Sequence, residues 1–135
     1  MSNIVITAAK RSPIGKFLGG LSSLSAPQLG KLCIKAVIED SKIPKDIVDE
    51  IIMGQVLTGG SGQNPARQSS ILAGIPEEKS ALTINQVCGS GLRAISIGAQ
   101  SIISGQSEIV IAGGQESMSN AHHTSNLRNG LKMGN

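Results

Sequence analysis

The sequence contains almost no aromatic residues: its 135 residues include one Phe and neither Trp nor Tyr. A core must therefore be built from aliphatic side chains. Proteins that bind single-stranded nucleic acid stack the bases on aromatic rings, and other nucleic-acid binders gather Lys and Arg on one face. Here the basic residues, which give a net charge of +3, are scattered along the chain. The composition therefore gives little support to a nucleic-acid partner, and a small anionic substrate fits the charge equally well.

Cysteines and charged residues are also few, and long apolar runs are missing. The two cysteines, Cys33 and Cys88, do not predict a structural disulfide, because no secretory signal precedes them. No apolar run approaches the roughly 20 residues of a membrane-spanning helix, and no Arg- and Ser-rich transit segment opens the chain. Charged residues make up 16% and apolar residues 39%, which is the balance of a folded chain. We therefore predict a folded cytoplasmic protein with reduced thiols and no membrane partner.

Four short apolar runs alternate with helical patterns along the sequence. The runs lack regular alternation of apolar and polar residues, so each predicts a strand that is covered on both faces. Strand–helix alternation is typical of a parallel sheet with helices packed on its faces. We therefore predict an α/β fold with a mostly parallel sheet, helices on both faces and the order β-α-β-α-β-α-β. The predicted strands are residues 4–9, 50–57, 81–87 and 109–112.

Three helices are marked by residues that favour helix ends. Ser25 opens a capping-box pattern, with Pro in the first turn and Gln three residues later, so the first helix begins near Ser25. Asn64, followed by Pro, begins the second helix, and Gly74 ends it. The third helix is predicted at residues 89–104 and ends at Gly105.

Burial of the first and third helices is predicted from their apolar positions. The third helix carries a single charge, Arg93, which predicts burial on more than one side. The first helix has one apolar face, and its cysteine is predicted to belong to the core. That face consists of Leu29, Leu32, Cys33, Ala36 and Val37.

The most informative segment, residues 85–94, reads Asn-Gln-Val-Cys-Gly-Ser-Gly-Leu-Arg-Ala. Cys88 follows a predicted strand and precedes a predicted helix, and the glycines after it permit a sharp turn. This arrangement resembles a nucleophile elbow, which presents a side chain at the carboxyl edge of a sheet. The helix N-terminus favours a thiolate, and backbone N–H groups there can face a developing oxyanion. Cys88 is therefore the candidate nucleophile, and the alternative is that it is a small buried hydrophobic residue.

Three other patterns suggest sites but fit them poorly. The glycines after Cys88 permit a relaxed dinucleotide-binding fingerprint with Glu108 as the ribose-binding acid, but that acid should end a strand, whereas Glu108 begins one. The Gly-Lys-Phe sequence at residues 15–17 lacks the earlier glycine and the Ser or Thr of a phosphate loop. His122 and His123 are adjacent and have no Cys or acidic cluster nearby, so they predict a solvated loop rather than a metal site.

Further short motifs accompany the cysteine segment: Thr-Ala-Ala-Lys-Arg-Ser-Pro-Ile-Gly at 7–15, Gly-Gln-Val-Leu at 54–57, Gly-Gln-Asn-Pro-Ala-Arg-Gln at 62–68, Ala-Gly-Gly-Gln-Glu-Ser-Met-Ser at 112–119 and Leu-Lys-Met-Gly at 131–134. With residues 85–94 they closely resemble the thiolases, specifically the biosynthetic acetoacetyl-CoA type. The motifs occur in the family's order and span nearly the whole chain. Cys88 matches the family's acyl-accepting cysteine.

The resemblance implies an acyltransferase, an acetyl-CoA C-acetyltransferase, that needs no cofactor and uses coenzyme A thioesters as substrates. The Cys88 thiolate would attack the acetyl carbonyl of acetyl-CoA and release CoA. The enolate of a second acetyl-CoA would then attack the acetyl-enzyme to give acetoacetyl-CoA, and the reverse reaction is thiolysis. The backbone N–H of Cys88 resembles one of the family's oxyanion donors.

The resemblance also implies that these residues form only the N-terminal portion of a longer enzyme, which is a dimer or tetramer with two similar halves. Residues 1–116 would form a truncated N-terminal half-domain, and 117–135 the start of a loop region that binds CoA and makes tetramer contacts. The family's activating histidine, second cysteine and water-ordering asparagine lie in Gly-His-Pro, Cys-Gly-Gly-Gly and Asn-Glu-Ala-Phe segments, which this sequence does not contain. Without a C-terminal half, the third helix would expose apolar surface.

Two alternatives to the thiolase hypothesis remain at this stage. The chain could be a catalytically inert half-domain or an association module. It could also belong to a related condensing enzyme, such as a ketoacyl synthase, with the same fold and a strand–Cys–helix site. The segments at 62–68 and 115–119 favour a thiolase over a ketoacyl synthase.

Overall fold

A computed structural model describes residues 4–126 of the chain. Three strands, at residues 50–54, 80–84 and 110–114, form a parallel sheet in which the first lies between the other two, so the predicted α/β class with a parallel sheet is confirmed. No helix among the described residues is long and apolar enough to cross a membrane. In chain order the elements are α1 (Ala26–Ser41), a 3-10 turn (Lys45–Ile47), β1 (Glu50–Gly54), α2 (Pro65–Ala73), β2 (Ser80–Ile84), α3 (Ser90–Ile103), β3 (Val110–Gly114) and a second 3-10 turn (Met118–Asn120).

Helices cover both faces of the sheet, as predicted. Successive side chains of a strand point to opposite faces. On one face of β1, Ile51 and Met53 are buried in a cluster with Ile34 of α1 and with residues of α2. On the other face, Gly54 lies directly against Ser90 at the beginning of α3. The central strand is therefore enclosed, and its carboxyl end is held beside the first turn of α3.

The predicted helix ends are confirmed, because capping depends on residues that are neighbours in sequence. The side chain of Ser25 accepts a hydrogen bond from the N–H of Gln28, and the Gln28 side chain accepts one from the N–H of Ser25, which completes the capping box. Asn64 caps α2 through the N–H of Arg67. Gly74 ends α2 in the left-handed conformation, with φ of 84°, which glycine adopts without steric cost.

The strand predicted at residues 4–9 is wrong. This segment has no strand partner among the described residues, and Val5 and Ile6 are 72% and 75% exposed. An ion pair of 2.9 Å between Lys10 and Asp40 joins the end of the segment to α1. A strand forms only where a neighbour completes its hydrogen bonds, and apolar composition alone cannot supply one. The other three strands exist, with bounds that differ from the predicted ones by at most three residues.

The predicted apolar faces of α1 and α3 are also wrong in part. Leu32 is 46% exposed and Cys33 is only half-buried, so Cys33 is not a core residue. Leu92 of α3 is 76% exposed, so α3 is not buried on a second side by the described residues, and the exposed apolar surface that the resemblance implied is confirmed. All buried residues of α3 are small, because small residues allow the closest approach of the backbones, whereas α1 also buries the large Ile34. The buried positions are Ala26, Pro27, Gly30 and Ile34 in α1, and Ser90, Ala94, Gly98 and Ser101 in α3.

The amino end of the sheet is fastened by Asp49, and this contact predicts a pH-dependent stability. Its carboxylate accepts hydrogen bonds from the N–H groups of Glu108 and Ile109, at 2.8 and 3.0 Å. The pKa of Asp49 lies below its ordinary value, chiefly because of the hydrogen bonds from the N–H groups of Ile109 and Glu108. The charge of Lys79 has a smaller effect in the same direction. A carboxyl group whose pKa is lower in the folded state stabilises that state above its unfolded pKa of about 3.9, and the contribution is lost as the pH falls through the folded pKa.

We therefore expect Asp49→Asn to lower the free energy of unfolding at pH 7 by about 1 kcal/mol, because Asn keeps an oxygen acceptor but loses the charge. Urea unfolding followed by circular dichroism measures the difference. The difference should shrink as the pH falls below about 4, where the carboxyl group of the unfolded chain binds its proton first, and it should be lost once the native carboxylate is protonated as well. Asp46→Asn, at an exposed residue of the first 3-10 turn, is the control. A difference between Asp49→Asn and the native chain that stays constant down to pH 2 would contradict the assignment.

Candidate functional site

Cys88 lies in the exposed connection between β2 and α3, at the carboxyl edge of the sheet. β2 ends at Ile84, α3 begins at Ser90, and all residues from 85 to 89 are exposed. The alternative of a buried hydrophobic Cys88 is therefore excluded, since its side chain is exposed. The arrangement of strand, cysteine and helix is the one that the sequence predicts.

The sharp turn is made at Val87, not at the glycines that follow Cys88. Val87 has φ of 50°, in the left-handed region, whereas Gly89 has an ordinary φ of −83°. A β-branched residue in that region costs about 1–3 kcal/mol and persists only where its surroundings hold it. The peptide groups of Val87 are held on both sides. Its N–H donates to Asn85 Oδ1 at 2.9 Å, and its carbonyl accepts from Ser90 Oγ at 2.6 Å.

Ser90 determines the orientation of the peptide bond between Val87 and Cys88. Ser90 is 4% exposed. Its hydroxyl donates to the Val87 carbonyl and accepts from the N–H of Gln86 at 2.8 Å, and its own N–H reaches the same carbonyl at 3.1 Å. In a trans peptide the C=O and N–H groups point in opposite directions. The N–H of Cys88 is therefore directed away from Ser90.

Two glycines allow α3 to approach the sheet this closely. A Cβ atom on Gly54, at the end of β1, would lie 2.5 Å from Ser90 Cβ and 2.6 Å from the Ser90 carbonyl carbon. Gly91, in the first turn of α3, lies against the backbone of Gly114 at the end of β3. The sequence analysis did not identify Gly54 or Ser90 as site residues. The signal available in the sequence was the cluster of small residues at the strand ends, which by itself is ambiguous.

A buried polar network lies behind the carboxyl edge, and it was also not predicted. Gln55 and Gln115, which follow β1 and β3, are 1% and 7% exposed. Gln115 Nε2 donates to Gln55 Oε1 at 3.0 Å and to the carbonyl of Pro65 at 3.2 Å, while Ser69 Oγ donates to Gln115 Oε1 at 2.5 Å. These bonds join the ends of β1 and β3 to α2, so the loops that flank the cysteine have a fixed base.

The remaining sequence-predicted candidates do not join Cys88. Glu108 precedes β3 and lies at the amino edge of the parallel sheet, opposite to Cys88, so the dinucleotide-binding interpretation is wrong. His122 is exposed and packs against Gly60, where it lines a cavity of about 290 Å³. Within residues 4–126, no group of three or more His, Cys, Asp or Glu residues could hold a metal ion. The motif at residues 131–134 lies outside the described residues.

Comparison with known proteins gives a consistent result. A family model for the thiolase N-terminal domain matches residues 4–135. A probable acetyl-CoA acetyltransferase of Escherichia coli is 54% identical over 136 residues, which cover 100% of this chain and 35% of that protein. An acetyl-CoA acetyltransferase of Cupriavidus necator is 52% identical and is matched over 99% of this chain and 34% of its own length.

A solved structure agrees with the sequence relatives. The crystal structure of Acat5 thiolase from Ascaris suum in complex with coenzyme A has a TM-score of 0.89 and 44% sequence identity, over 95% of this chain and 33% of that one. The chain thus spans about a third of the length of the relatives that it matches. Because the family match extends over nearly all of the sequence, the chain belongs to the thiolase family, as its N-terminal domain.

Proposed function

We propose that the chain forms part of an acetyl-CoA C-acetyltransferase in which Cys88 accepts the acetyl group. One observation carries the proposal: Cys88 is exposed at the N-terminus of α3, directly after a strained residue that neighbouring side chains hold in place. The partial positive charge of a helix N-terminus stabilises negative charge that develops beside it during a reaction, and strain of this kind is found where a reacting group must be presented. The names of the relatives, which are acetyl-CoA acetyltransferases, support the substrate class.

The reaction that this geometry supports proceeds through a thioester. The Cys88 sulfur attacks the acetyl carbonyl of acetyl-CoA, a new S–C bond forms, and the bond to the CoA sulfur breaks, so that the proton of the Cys88 thiol is transferred, net, to CoA. The enolate of a second acetyl-CoA then attacks the acetyl carbonyl, a C–C bond forms, and the Cys88 thiolate leaves. During both steps negative charge develops on the carbonyl oxygen, and the N–H of Cys88 is positioned to donate to it.

The rest of the catalytic apparatus would come from residues beyond this sequence. The family resemblance assigns an activating histidine and a second cysteine to segments that the 135 residues do not contain. We propose that the exposed side chains of Leu92, Ile95 and Ile103 on α3 pack against that remaining part, since they are 76%, 43% and 73% exposed. Burial of such side chains contributes about 1.5–3 kcal/mol each.

Three finer assignments are part of the same proposal. The half-domain would extend through residue 116, and 117–135 would begin the loop region that contacts CoA and other subunits. The described part of that region is anchored to the segment before α1, because Ser117 Oγ donates to the carbonyl of Leu24 at 2.8 Å. The complete enzyme would be a homo-oligomer and would act in the cytoplasm.

The test uses the native chain joined to the C-terminal part of the Escherichia coli relative, with Cys88→Ala and Cys33→Ala as matched variants. We expect thiolysis of acetoacetyl-CoA in the native fusion and in Cys33→Ala. Removal of a nucleophile costs on the order of 10⁶-fold in rate, so Cys88→Ala should have no measurable activity. Mass spectrometry after exposure to acetyl-CoA should find one acetyl group, on Cys88.

The alternatives predict other outcomes of this experiment. A folded fusion without thiolysis and without acetylation at Cys88 would favour the inert half-domain. Acetylation from an acyl carrier protein but not from acetyl-CoA would favour a ketoacyl-synthase-like enzyme. Activity that persists in Cys88→Ala would show that another residue accepts the acyl group. For the 135-residue chain alone we expect no turnover, because loss of a positioned acid–base group costs about 10²–10⁴ in rate.

A further inference from the structure

Three loops meet at the carboxyl edge of the sheet, and side-chain hydrogen bonds connect them. The loops follow β1, β2 and β3 and begin at Gln55, Asn85 and Gln115. The buried bond from Gln115 to Gln55 joins the first residues of two of these loops, but it does not reach the loop that carries Cys88. Glu116 and Asn85 make further bonds between loops, and together they form a continuous path from the end of β3 to the peptide of Val87.

The first half of the path begins at the half-buried carboxylate of Glu116. Its Oε2 accepts from the N–H of Val56 at 2.8 Å, and its Oε1 accepts from the N–H of Leu57 at 3.2 Å. Bonds from two consecutive N–H groups to one carboxylate fix both the position and the rotation of that backbone. The loop after β1 is thus held by a residue that is 60 positions further along the chain.

The second half of the path runs through Asn85 to the turn before the cysteine. Asn85 Nδ2 donates to the carbonyl of Val56 at 3.2 Å, and Asn85 Oδ1 accepts from the N–H of Val87 at 2.9 Å. Val56 is therefore bound on its N–H by Glu116 and on its carbonyl by Asn85. Both ends of the Asn85 amide are used, which leaves its side chain a single orientation.

We propose that Glu116 and Asn85 are positioning residues for acyl transfer to Cys88, an inference that rests on the proposed function. They hold Val87 in its left-handed conformation through the backbone of Val56. Because the peptide that follows Val87 carries the N–H of Cys88, this path acts together with Ser90, which holds the Val87 carbonyl, to set the direction of the oxyanion donor. A displacement of about 1 Å in a reacting group can cost on the order of 10²-fold in rate, so a loosened Val87 should slow acyl transfer.

The test compares two reagents on the full chain. p-Nitrophenyl acetate transfers its acetyl group to the Cys88 sulfur and releases nitrophenolate, through a tetrahedral oxyanion that needs a donor. Iodoacetamide alkylates the same sulfur with loss of iodide and forms no oxyanion. We expect Glu116→Gln to slow acetylation of Cys88 about 10-fold, which is less than the roughly 10²–10³-fold cost of losing an oxyanion donor outright. The same variant should change the rate of Cys88 alkylation by less than about threefold, since alkylation forms no oxyanion. Glu108→Gln, at the other end of β3, is the matched control.

The ratio of the two rates separates lost geometry from lost charge. Any effect of the Glu116 charge on the Cys88 sulfur acts on both reactions in the same direction, because the same sulfur attacks both reagents. A slower acetylation relative to alkylation therefore reports the loosened loop. Alkylation of the half-buried Cys33 in the same sample reports partial unfolding. Slowing of both reagents by the same factor, faster alkylation of Cys33, or unchanged acetylation would each overturn the proposal.

A double variant tests whether the two residues act along one path. Asn85→Ala alone should slow acetylation at least as much as Glu116→Gln, because it releases Val87 directly. Adding Glu116→Gln to Asn85→Ala should then change the rate by less than about twofold, since residues of one network do not contribute independently. Additive effects would overturn the proposal.

Failure of the proposed function gives a different result. In one case acetyl-CoA does not acetylate Cys88 in the fusion, but Glu116→Gln still slows acetylation by p-nitrophenyl acetate more than alkylation by iodoacetamide. The proposed acetyl-CoA reaction is then wrong, and the positioning role of Glu116 stands. If the fusion catalyses Cys88-dependent thiolysis that Glu116→Gln and Asn85→Ala leave unchanged, the positioning is wrong and the function stands.

Discussion

Replacement of Gly54 with Ala will destabilise the chain by about 3 kcal/mol, because overpacking of this kind typically costs 1–3 kcal/mol and here meets backbone. The new Cβ would lie 2.5 Å from Ser90 Cβ, 2.6 Å from the Ser90 carbonyl carbon and 2.9 Å from the N of Gly91. Two of these atoms belong to the backbone of α3, so no side-chain rotation relieves the contact. The helix must move away from the sheet, and the Cys88 turn must move with it.

Urea unfolding of Gly54→Ala measures this destabilisation, and Gly113→Ala is the matched control in the neighbouring strand. A Cβ on Gly113 would meet Met53 Sδ at 3.8 Å, which is an ordinary contact. We expect Gly113→Ala to change the free energy of unfolding by less than about 1 kcal/mol. Gly54→Ala should also slow acetylation of Cys88, because the Cys88 turn moves with α3 away from the Val56 carbonyl that Asn85 holds. Native stability in Gly54→Ala would show that α3 is not in contact with β1.

Gly30→Ala in α1 should have an effect of similar size, a loss of about 2–4 kcal/mol in the free energy of unfolding. A Cβ there would lie 1.8 Å from Gln115 Oε1 and 2.8 Å from Ser69 Oγ. The Gln115 amide must therefore leave its buried position, and Gln55 Oε1 loses the donor that Gln115 supplies, whereas the Pro65 carbonyl keeps the Ser69 hydroxyl. A buried polar group without a partner costs about 1–3 kcal/mol. The substitution would otherwise be favourable, since Ala suits a helix interior better than Gly by about 1 kcal/mol.

The Gln115→Ala background separates this cause from a general intolerance of α1. Gln115→Ala removes the side chain with which the new Cβ would collide. We expect Gly30→Ala to cost much less there than in the native chain, as measured by urea unfolding of the four proteins of a double-mutant cycle. Equal costs in both backgrounds would mean that displacement of Gln115 is not the cause.

How much of the site could be predicted depends on the range of the interactions involved. The cysteine at a strand–helix turn was predicted correctly, since strand, turn and helix signals all lie within residues 81–104. The conformation of the turn was not predicted, because the residue with positive φ is Val87, and the ordinary expectation for positive φ is a glycine. Val87 adopts this conformation because Asn85 and Ser90 hold both of its peptide groups. The intrinsic backbone preference of valine contains no information about these hydrogen bonds.

The errors in the fold have a related cause. Residues 4–9 have the composition of a buried strand, but a strand needs a neighbour, and none of the described residues provides one. The face predicted for α1 is wrong in part because the prediction followed its larger apolar residues. In the structure Gly30 lies against the buried side chain of Gln115. Buried small residues give weak periodic signals, since their contribution is close approach rather than apolar area.

By itself, the sequence determined the class of fold, the helix ends, the place of the cysteine ahead of α3 and, through short motifs in order, the family. These features depend on residues that are close together in the chain, or on patterns that can be recognised in the sequence alone. Only the tertiary structure decided which glycines permit the approach of α3 to the sheet, which glutamines form the buried network, and how Glu116 and Asn85 reach the cysteine turn. Glu116 lies 60 positions from Val56, and Val56 lies 29 positions from Asn85. Contacts over such separations exist only once the strands have assembled in the order β2-β1-β3, because the sheet alone brings the three loops to one edge.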